Sequence, residues 1–351
     1  MQLPSYIEDH ISQIPALQLL IKMGYQYLAP EEALALRGGR TSNVLLEPIL
    51  KEQLQKINSI QYKDKEFAFS DSNINTAIVE LRDLPIQDGF IKANQFFFDL
   101  ITLGKSLEQN VLNDKKSFSF QYIDWVTIEN NVFHVTEEYA VLRNDRNDTY
   151  RPDIVLFING IPMVVIECKS NVIKKPMDEA ISQHLRNQQE DGIRGLYQYS
   201  NMVMSLAVNE AKFATTATKK EFWSVWKEVF RTKEEGVNYG DAIRQLKNDE
   251  LPNTERTAIF NQRFKNVLHY FNQLEKEEVI ITEQDKLVFS LCQKSRLLEL
   301  IFNYIVYDDG IKKIARYQQY FAIKETLKKI SKADVNGKRT GGVIWHTQGS
   351  G

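Results

Sequence analysis

RPDIVLFINGIPMVVIECKS, residues 151–170, decides how this chain folds. Two β-rich runs flank Asn159-Gly160, the dipeptide that best accommodates the two positive φ angles of a tight two-residue hairpin. The second run is almost wholly apolar until it reaches Glu167-Cys168-Lys169. Charge at the end of such a strand is costly unless it is paired or used. Side chains alternate along a strand, so Glu167 and Lys169 share one face and Cys168 takes the other. The hairpin returns Asp153, fourteen positions before Glu167, to the neighbouring strand beside them.

Working outward, the spacing predicts a helix from Met177 to about Gln189, then strands at Met202–Val208 and Lys212–Thr216. Upstream, Phe118, Phe120 and Tyr122 alternate with polar residues, and NNVFHVTEEYAVLRN (130–144) reads as a strand after an Asn-Asn turn. Helices are predicted before these. One carries Ile14, Leu17, Leu20, Ile21 and Gly24; others span Val44–Ile57 with Pro48 in its first turn, Asn73–Arg82 and Asn94–Leu103. Helices, three strands, a helix and two more strands make an α/β arrangement around one mixed sheet. From Glu221 the chain reads as helical again, with FWSVWKEVF (222–230) amphipathic. The charged stretch 231–258 is the linker candidate. Helical patterns resume over Ile259–Leu274, Thr282–Tyr307 and RYQQYFAIKETLKKI (316–330), and GGVIWHTQGSG (341–351) reads as a strand entering a Gly-rich loop. The expected domains are 1–230, the linker 231–258, and 259–351.

The chain has 351 residues, 43% hydrophobic and 26% charged, which excludes a disordered or fibrous class. Its net charge of −2 advertises no polyanion, although a local basic cleft can hide in a neutral mean. Cys168 and Cys292 are too few for a disulfide framework or a structural zinc site. The N-terminus lacks a secretory pattern and no apolar run is long enough to cross a bilayer, so the expected location is the cytoplasm. His10, His134, His184, His269 and His346 show no metal spacing, and no Ser-His-Asp arrangement or G-x-S-x-G is visible.

Two carboxylates at close range suit Mg²⁺, a hard cation that takes oxygen donors and keeps several waters. The carbonyl of Cys168 is a third oxygen, while its thiol is expected to be a buried hydrophobe. Lys169 beside them can orient a water or take its proton. A bare Asp…Glu-x-Lys pattern is more often a solvated ion pair; the apolar strand and the hairpin set this one apart.

With these residues in place, the chain resembles the restriction, or motor, subunits of type I restriction-modification enzymes, which carry a PD-(D/E)xK nuclease. The resemblance rests on RPDIVLFINGIPMVVIECK, on YIDW and NNVFHVTEEY upstream, on EAISQHLRNQ and NEAKFATTAT downstream, and on the terminal IWHTQGSG. It implies a restriction-endonuclease-like core followed by the helical start of a RecA-like motor domain. It implies metal ligands at Asp153 and Glu167 and a catalytic lysine at Lys169. The family's Q-x-x-x-Y helix motif falls on Gln183 to Asn187, with Asn in place of Tyr. Gln183 is thus a positioning candidate, and Arg151 and Arg186 are candidate phosphate contacts. Some such nucleases place a further acid on the first helix, where Glu8 is the candidate. Thr347, Gln348, Gly349, Ser350 and Gly351 resemble the start of a phosphate-binding loop, and Gln319 resembles an adenine-reading glutamine. The implied cofactors are Mg²⁺ and, for a full-length subunit, ATP. The implied partners are double-stranded DNA and the methyltransferase and specificity subunits. The sequence looks like the N-terminal part of a longer protein and is not expected to hydrolyse ATP alone. Two other readings stay open: a helicase-associated repair or recombination nuclease, and a non-catalytic DNA-binding or assembly module.

Overall fold

The computed structural model describes residues 12–144, 146–260, 264–274, 279–333, 337–339 and 341–344. The N-terminal part runs α1 (Ile14–Lys22), β1 (Gln26–Tyr27), α2 (Pro30–Ala35), α3 (Glu47–Ile57), β2 (Ser59–Tyr62), β3 (Lys65–Ala68), α4 (Asp71–Arg82), α5 (Phe90–Leu103), β4 (Lys105–Val111) and β5 (Asp114–Phe120). The middle holds β6 (Phe133–Glu137), β7 (Val141–Leu142), β8 (Thr149–Tyr150), β9 (Ile154–Ile158), β10 (Ile161–Cys168), α6 (Pro176–Asn187), α7 (Arg194–Tyr197), β11 (Met202–Ala207) and β12 (Glu210–Ala214). The rest comprises α8 (Lys233–Asn248), α9 (Asn253–Phe260), α10 (Leu268–Leu274), α11 (Glu283–Cys292), α12 (Lys294–Tyr304), β13 (Ile305–Asp308), β14 (Ile311–Ile314) and α13 (Tyr317–Ile330).

The central sheet is mixed, in the order β1-β6-β9-β10-β11-β12. The β9–β10 hairpin forms as the Asn-Gly dipeptide predicts: Asn159 has φ 52° and Gly160 φ 81°. The Asn159 amide donates to the Tyr122 carbonyl and to Asn131 Oδ1 while its own oxygen accepts the Val132 N–H, so the turn is locked to the loop before β6. The backbone of Leu46, at the start of α3, donates to the Gly160 carbonyl. Every residue of β9 and β10 is buried, as expected of strands covered on both faces.

Register assigns the faces. Glu167 sits beside Ser205 of β11, and Ile166 beside Met204. Glu167 points toward α6, whereas Met204 points to the other side, where its sulfur lies 3.7 Å from Cys292 Sγ of α11. α1 and α11 pack together there. Gln284 and Ser12 exchange two hydrogen bonds, and the Tyr25 hydroxyl donates to the Cys292 carbonyl at 2.8 Å.

Several expectations past residue 220 differ. FWSVWKEVF is not an amphipathic helix. After a single 3-10 turn at Lys220–Phe222 the backbone extends, pairing Ser224 with Phe213. Trp223 stacks on His184, and Trp226 packs on Phe213, Tyr320 and Phe321, so tertiary burial of two indoles overrides local periodicity. The stretch expected to be a linker is mostly the two helices α8 and α9; the Thr232 side chain caps α8, and Ile243 buries its apolar side. Thr282–Tyr307 is not one helix. It breaks at Gln293, whose ψ of 128° is extended, and then yields the β13–β14 hairpin at Asp309-Gly310. This C-terminal part docks on the sheet's own elements: Lys312 Nζ donates to Asn201 Oδ1 at 2.7 Å, and the Tyr307 hydroxyl donates to Asn94 Oδ1 at 2.7 Å. Gly341–Ile344 form no strand, and the Gly-rich loop beyond them lies outside the described residues.

Candidate active site

The site forms where the sheet's hairpin meets α6. Continuing the β9–β10 register past Ile154 and Ile166 brings Asp153 opposite Glu167. Asp153 Oδ2 accepts the backbone N–H of Cys168 at 2.6 Å and lies 3.9 Å from Lys169 Nζ. Lys169 Nζ also donates to the Cys168 carbonyl at 2.8 Å, and its own N–H donates to the Leu206 carbonyl of β11. Asp153 and Lys169 are each 7% exposed, whereas Glu167 is fully buried. The three predicted groups therefore stand together at the end of the hairpin, all of them buried.

A buried carboxylate must be hydrogen-bonded. Glu167 is held from α6: Gln183 Nε2 donates to Oε2 at 2.6 Å and Asn187 Nδ2 donates to Oε1 at 3.1 Å. These residues are four apart, so a single helical face presents both amides. Asn187, standing where the family motif has Tyr, thus reaches the carboxylate directly. A carboxylate has about four lone-pair positions, so it can accept amide donors and also serve as an oxygen ligand. With Asp153 and the Cys168 carbonyl, the donor set is all oxygen and fits Mg²⁺ with waters completing the shell. Among the described residues no group of three or more His, Cys, Asp or Glu is placed to hold a metal ion, so the donors here are two carboxylates and a backbone carbonyl.

Behind this layer, His184 Nε2 lies 2.8 Å from the Met204 carbonyl and Nδ1 lies 2.9 Å from the Tyr197 hydroxyl. A carbonyl only accepts, so Nε2 carries the proton and Nδ1 accepts from Tyr197. Burial pushes the His184 pKa down to about 3; the Met204 bond opposes this and the Lys169 charge adds to it. The ring is a neutral spacer between α6 and β11. Burial, then the charge of Glu167, raises the Tyr197 hydroxyl pKa well above its usual value, which keeps it a donor. The Cys168 thiol is buried on the opposite face.

One positioning residue left no signal in the sequence. Gln13 is 1% exposed and its amide donates to the Asp153 carbonyl at 3.0 Å and to Glu138 Oε1 at 3.3 Å. It precedes α1; Glu8 lies outside the described residues. Arg151 is exposed beside Asp153 in sequence. Arg186 is exposed and paired with Glu179 at 3.0 Å. Gln319 Oε1 accepts the Arg316 N–H at 2.8 Å and caps α13. Its neighbour Gln318 has a buried Oε1 without a hydrogen-bond partner among the described residues, and lines a cavity of about 650 Å³ with Tyr317, Phe321 and 341–344. Thr347, Gln348, Gly349, Ser350 and Gly351 lie outside the described residues. No helix among those described is long and apolar enough to cross a membrane.

Comparison with known proteins places the chain in a family. The family described as type I restriction enzyme R protein N terminus matches residues 5–222, and the SWI2/SNF2 ATPase family matches residues 318–351. Among curated proteins, a Methanocaldococcus jannaschii chain named as type I restriction enzyme MjaIXP endonuclease subunit is 26% identical, over 98% of this chain and 30% of its own length. The MjaVIIIP subunit of the same organism is 30% identical, over 95% of this chain and 26% of its own. The type I restriction enzyme HindI endonuclease subunit of Haemophilus influenzae is 24% identical, over 98% of this chain and 29% of its own. The chain thus spans between a quarter and a third of the length of these relatives. With the match to residues 5–222 covering most of the chain, the chain belongs to the type I restriction enzyme R protein N-terminal family.

Proposed function

We propose that this chain supplies the DNA-cleaving part of a type I restriction enzyme, hydrolysing phosphodiester bonds of double-stranded DNA with Mg²⁺ as cofactor. One observation carries the reading: Glu167, fully buried and held by two amides, stands opposite Asp153 and one strand step from Lys169. A carboxylate at that depth is expensive unless it has work to do. Asp153, Glu167 and the Cys168 carbonyl would hold the ion, which when bound stabilises charge developing on the phosphoryl oxygens.

The chain's own residues do the rest. Lys169 Nζ, anchored on the Cys168 carbonyl, orients the attacking water. As the water oxygen bonds to phosphorus, the opposite ester P–O bond breaks; the attacking water's proton is lost to bulk solvent, and the departing oxygen takes one from solvent. Gln183 and Asn187 fix Glu167 and so keep the ligands from swinging. Arg151 and Arg186 at the rim contact flanking phosphates.

The named relatives and the match to the SWI2/SNF2 ATPase family support a longer subunit in which cleavage is coupled to ATP-driven movement on DNA. Such a subunit would work with methyltransferase and specificity partners. In it, Gln318 faces the cavity beside α13 and is better placed than Gln319 to read adenine. The test is Lys169→Ala in the full-length subunit, assembled in its complex. Cleavage is abolished while ATP hydrolysis persists; unchanged cleavage removes the proposal.

A further inference from the structure

We infer that the loop Asn171–Lys175 grips the duplex beside the scissile phosphate: Val172 and Ile173 press into the minor groove and the lysines that follow hold phosphates on either side of it. The inference rests on the nuclease reading and adds a substrate-holding element to it.

The chain passes abruptly from buried to exposed here. Lys169 and Ser170 are 7% and 6% exposed, and the next five residues are all exposed. Val172 is 66% and Ile173 39% exposed, three and four residues beyond the catalytic lysine. A single exposed aliphatic is unremarkable. Two adjacent ones that follow the buried Lys169-Ser170 within three residues, and lead directly into Lys174 and Lys175, form a mixed apolar and cationic rim. Ser170 supports the loop: its Oγ accepts the Val172 N–H at 3.3 Å and its carbonyl accepts the Ile173 N–H at 3.2 Å.

The surroundings are cationic too. Lys220 Nζ lies 3.1 Å from Asp178. That carboxyl is held below its ordinary pKa first by Lys220, with Lys175 and Lys212 adding to it, so three lysines gather around one acid. The next acid, Glu179, is taken by Arg186. The rim is left with a positive surplus from Lys174, Lys175 and Lys212.

A polyanionic duplex matches this charge. To bring a phosphate to Lys169 it must pass the loop. The turn closed by the Ile173 N–H on the Ser170 carbonyl leaves Val172 and Ile173 exposed, toward a minor groove about 6 Å wide. Apolar side chains find partners on DNA at the sugar walls and base steps of that groove, where Ile and similar residues act as wedges. Lysines at the flanks add counterion release but no sequence preference.

The experiment uses the full-length subunit and a fluorescein-labelled 25-base-pair duplex, with binding followed by anisotropy across a KCl series. Lys174→Gln/Lys175→Gln lowers the slope of log K against log salt by between 1 and 2, since each phosphate contact contributes about 0.9. Val172→Ser/Ile173→Ser weakens binding at least fivefold at fixed salt and leaves the slope unchanged. In the assembled complex both variants slow cleavage and retain ATP hydrolysis, and urea midpoints equal to wild type show that the fold is intact. Loop variants that bind and cut like wild type, while Lys169→Ala abolishes cleavage, overturn the loop inference and leave the nuclease reading standing. Weakened binding by the loop variants together with undiminished cleavage by Lys169→Ala overturns the nuclease reading instead. Loss of methyltransferase-subunit association in Val172→Ser/Ile173→Ser, with duplex binding unchanged, shows a protein-docking patch and also overturns the loop inference.

Discussion

Replacing Asn187 with Ala tests whether the buried carboxylate is the organising charge of the site. The change deletes the 3.1 Å N–H donor to Glu167 Oε1 and leaves the second donor, Gln183, in place at 2.6 Å. The Asn187 carbonyl, which accepts the Ile193 N–H, is unaffected because it belongs to the backbone. A hydrogen bond to a charged group contributes about 1.5–3 kcal/mol. Asn187 is 4% exposed and the Glu167 oxygen it serves is in a fully buried side chain, so water does not replace the lost donor readily. Asn187→Ala should therefore cost about 2 kcal/mol in equilibrium urea unfolding at pH 7. In a Glu167→Ala background there is no carboxylate to serve, and the same substitution should cost under about 0.5 kcal/mol. The coupling of about 1.5 kcal/mol is the quantity that matters. Equal losses in both backgrounds would show that Asn187 stabilises α6 by packing and that its amide does not hold the acid.

Other outcomes follow from the same structure. His184 takes up a proton in the unfolded chain near pH 6.5 and in the folded chain only near 3, so its contribution is complete above pH 6.5 and is lost as pH falls; at pH 5 this costs about 2 kcal/mol relative to pH 7, read from urea midpoints and abolished in His184→Gln. Gly160→Ala should destabilise by about 2–3 kcal/mol, because φ is +81° and a Cβ would stand 2.7 Å from the Leu46 carbonyl, with unfolding midpoint as the readout. Lys312 is fully buried against Asn201 and Ser200 with its pKa well below the ordinary lysine value, so stability rises with pH toward the unfolded-lysine pKa. Lys312→Met should flatten that alkaline rise in thermal melts between pH 7 and 10.

The hairpin that builds the site was legible because its turn chemistry is unambiguous. Asn159-Gly160 satisfies two positive φ angles, and Glu167 and Lys169 then share a face by strand period alone. Two other hairpins use the same turn geometry with residues that do not announce it: Lys63-Asp64 and Leu112-Asn113 both hold positive φ throughout. Asp309-Gly310 did carry the signal, but it stood just past Thr282–Tyr307, whose helical periodicity concealed both the break at Gln293 and the strand β13. The Trp223 and Trp226 segment misled for a different reason. Its apolar residues recur at helical spacing, but they are buried by partners far along the chain, His184 and Tyr320 among them. Asn187 was visible as a departure from a motif, yet only the geometry of α6 shows its amide on Glu167. Gln13 was not legible at all, since nothing local marks a glutamine that will meet Asp153 across 140 residues.

The account turns on a divalent cation held jointly by Asp153 and Glu167. Mn²⁺ is a paramagnetic stand-in for Mg²⁺ at oxygen sites, so electron paramagnetic resonance of free Mn²⁺ can be titrated against the chain in the presence of duplex DNA. Wild type should withdraw Mn²⁺ from solution, while Asp153→Ala and Glu167→Ala should each weaken binding at least tenfold and Lys169→Ala should not. Equal Mn²⁺ uptake by wild type and both carboxylate variants would contradict the account.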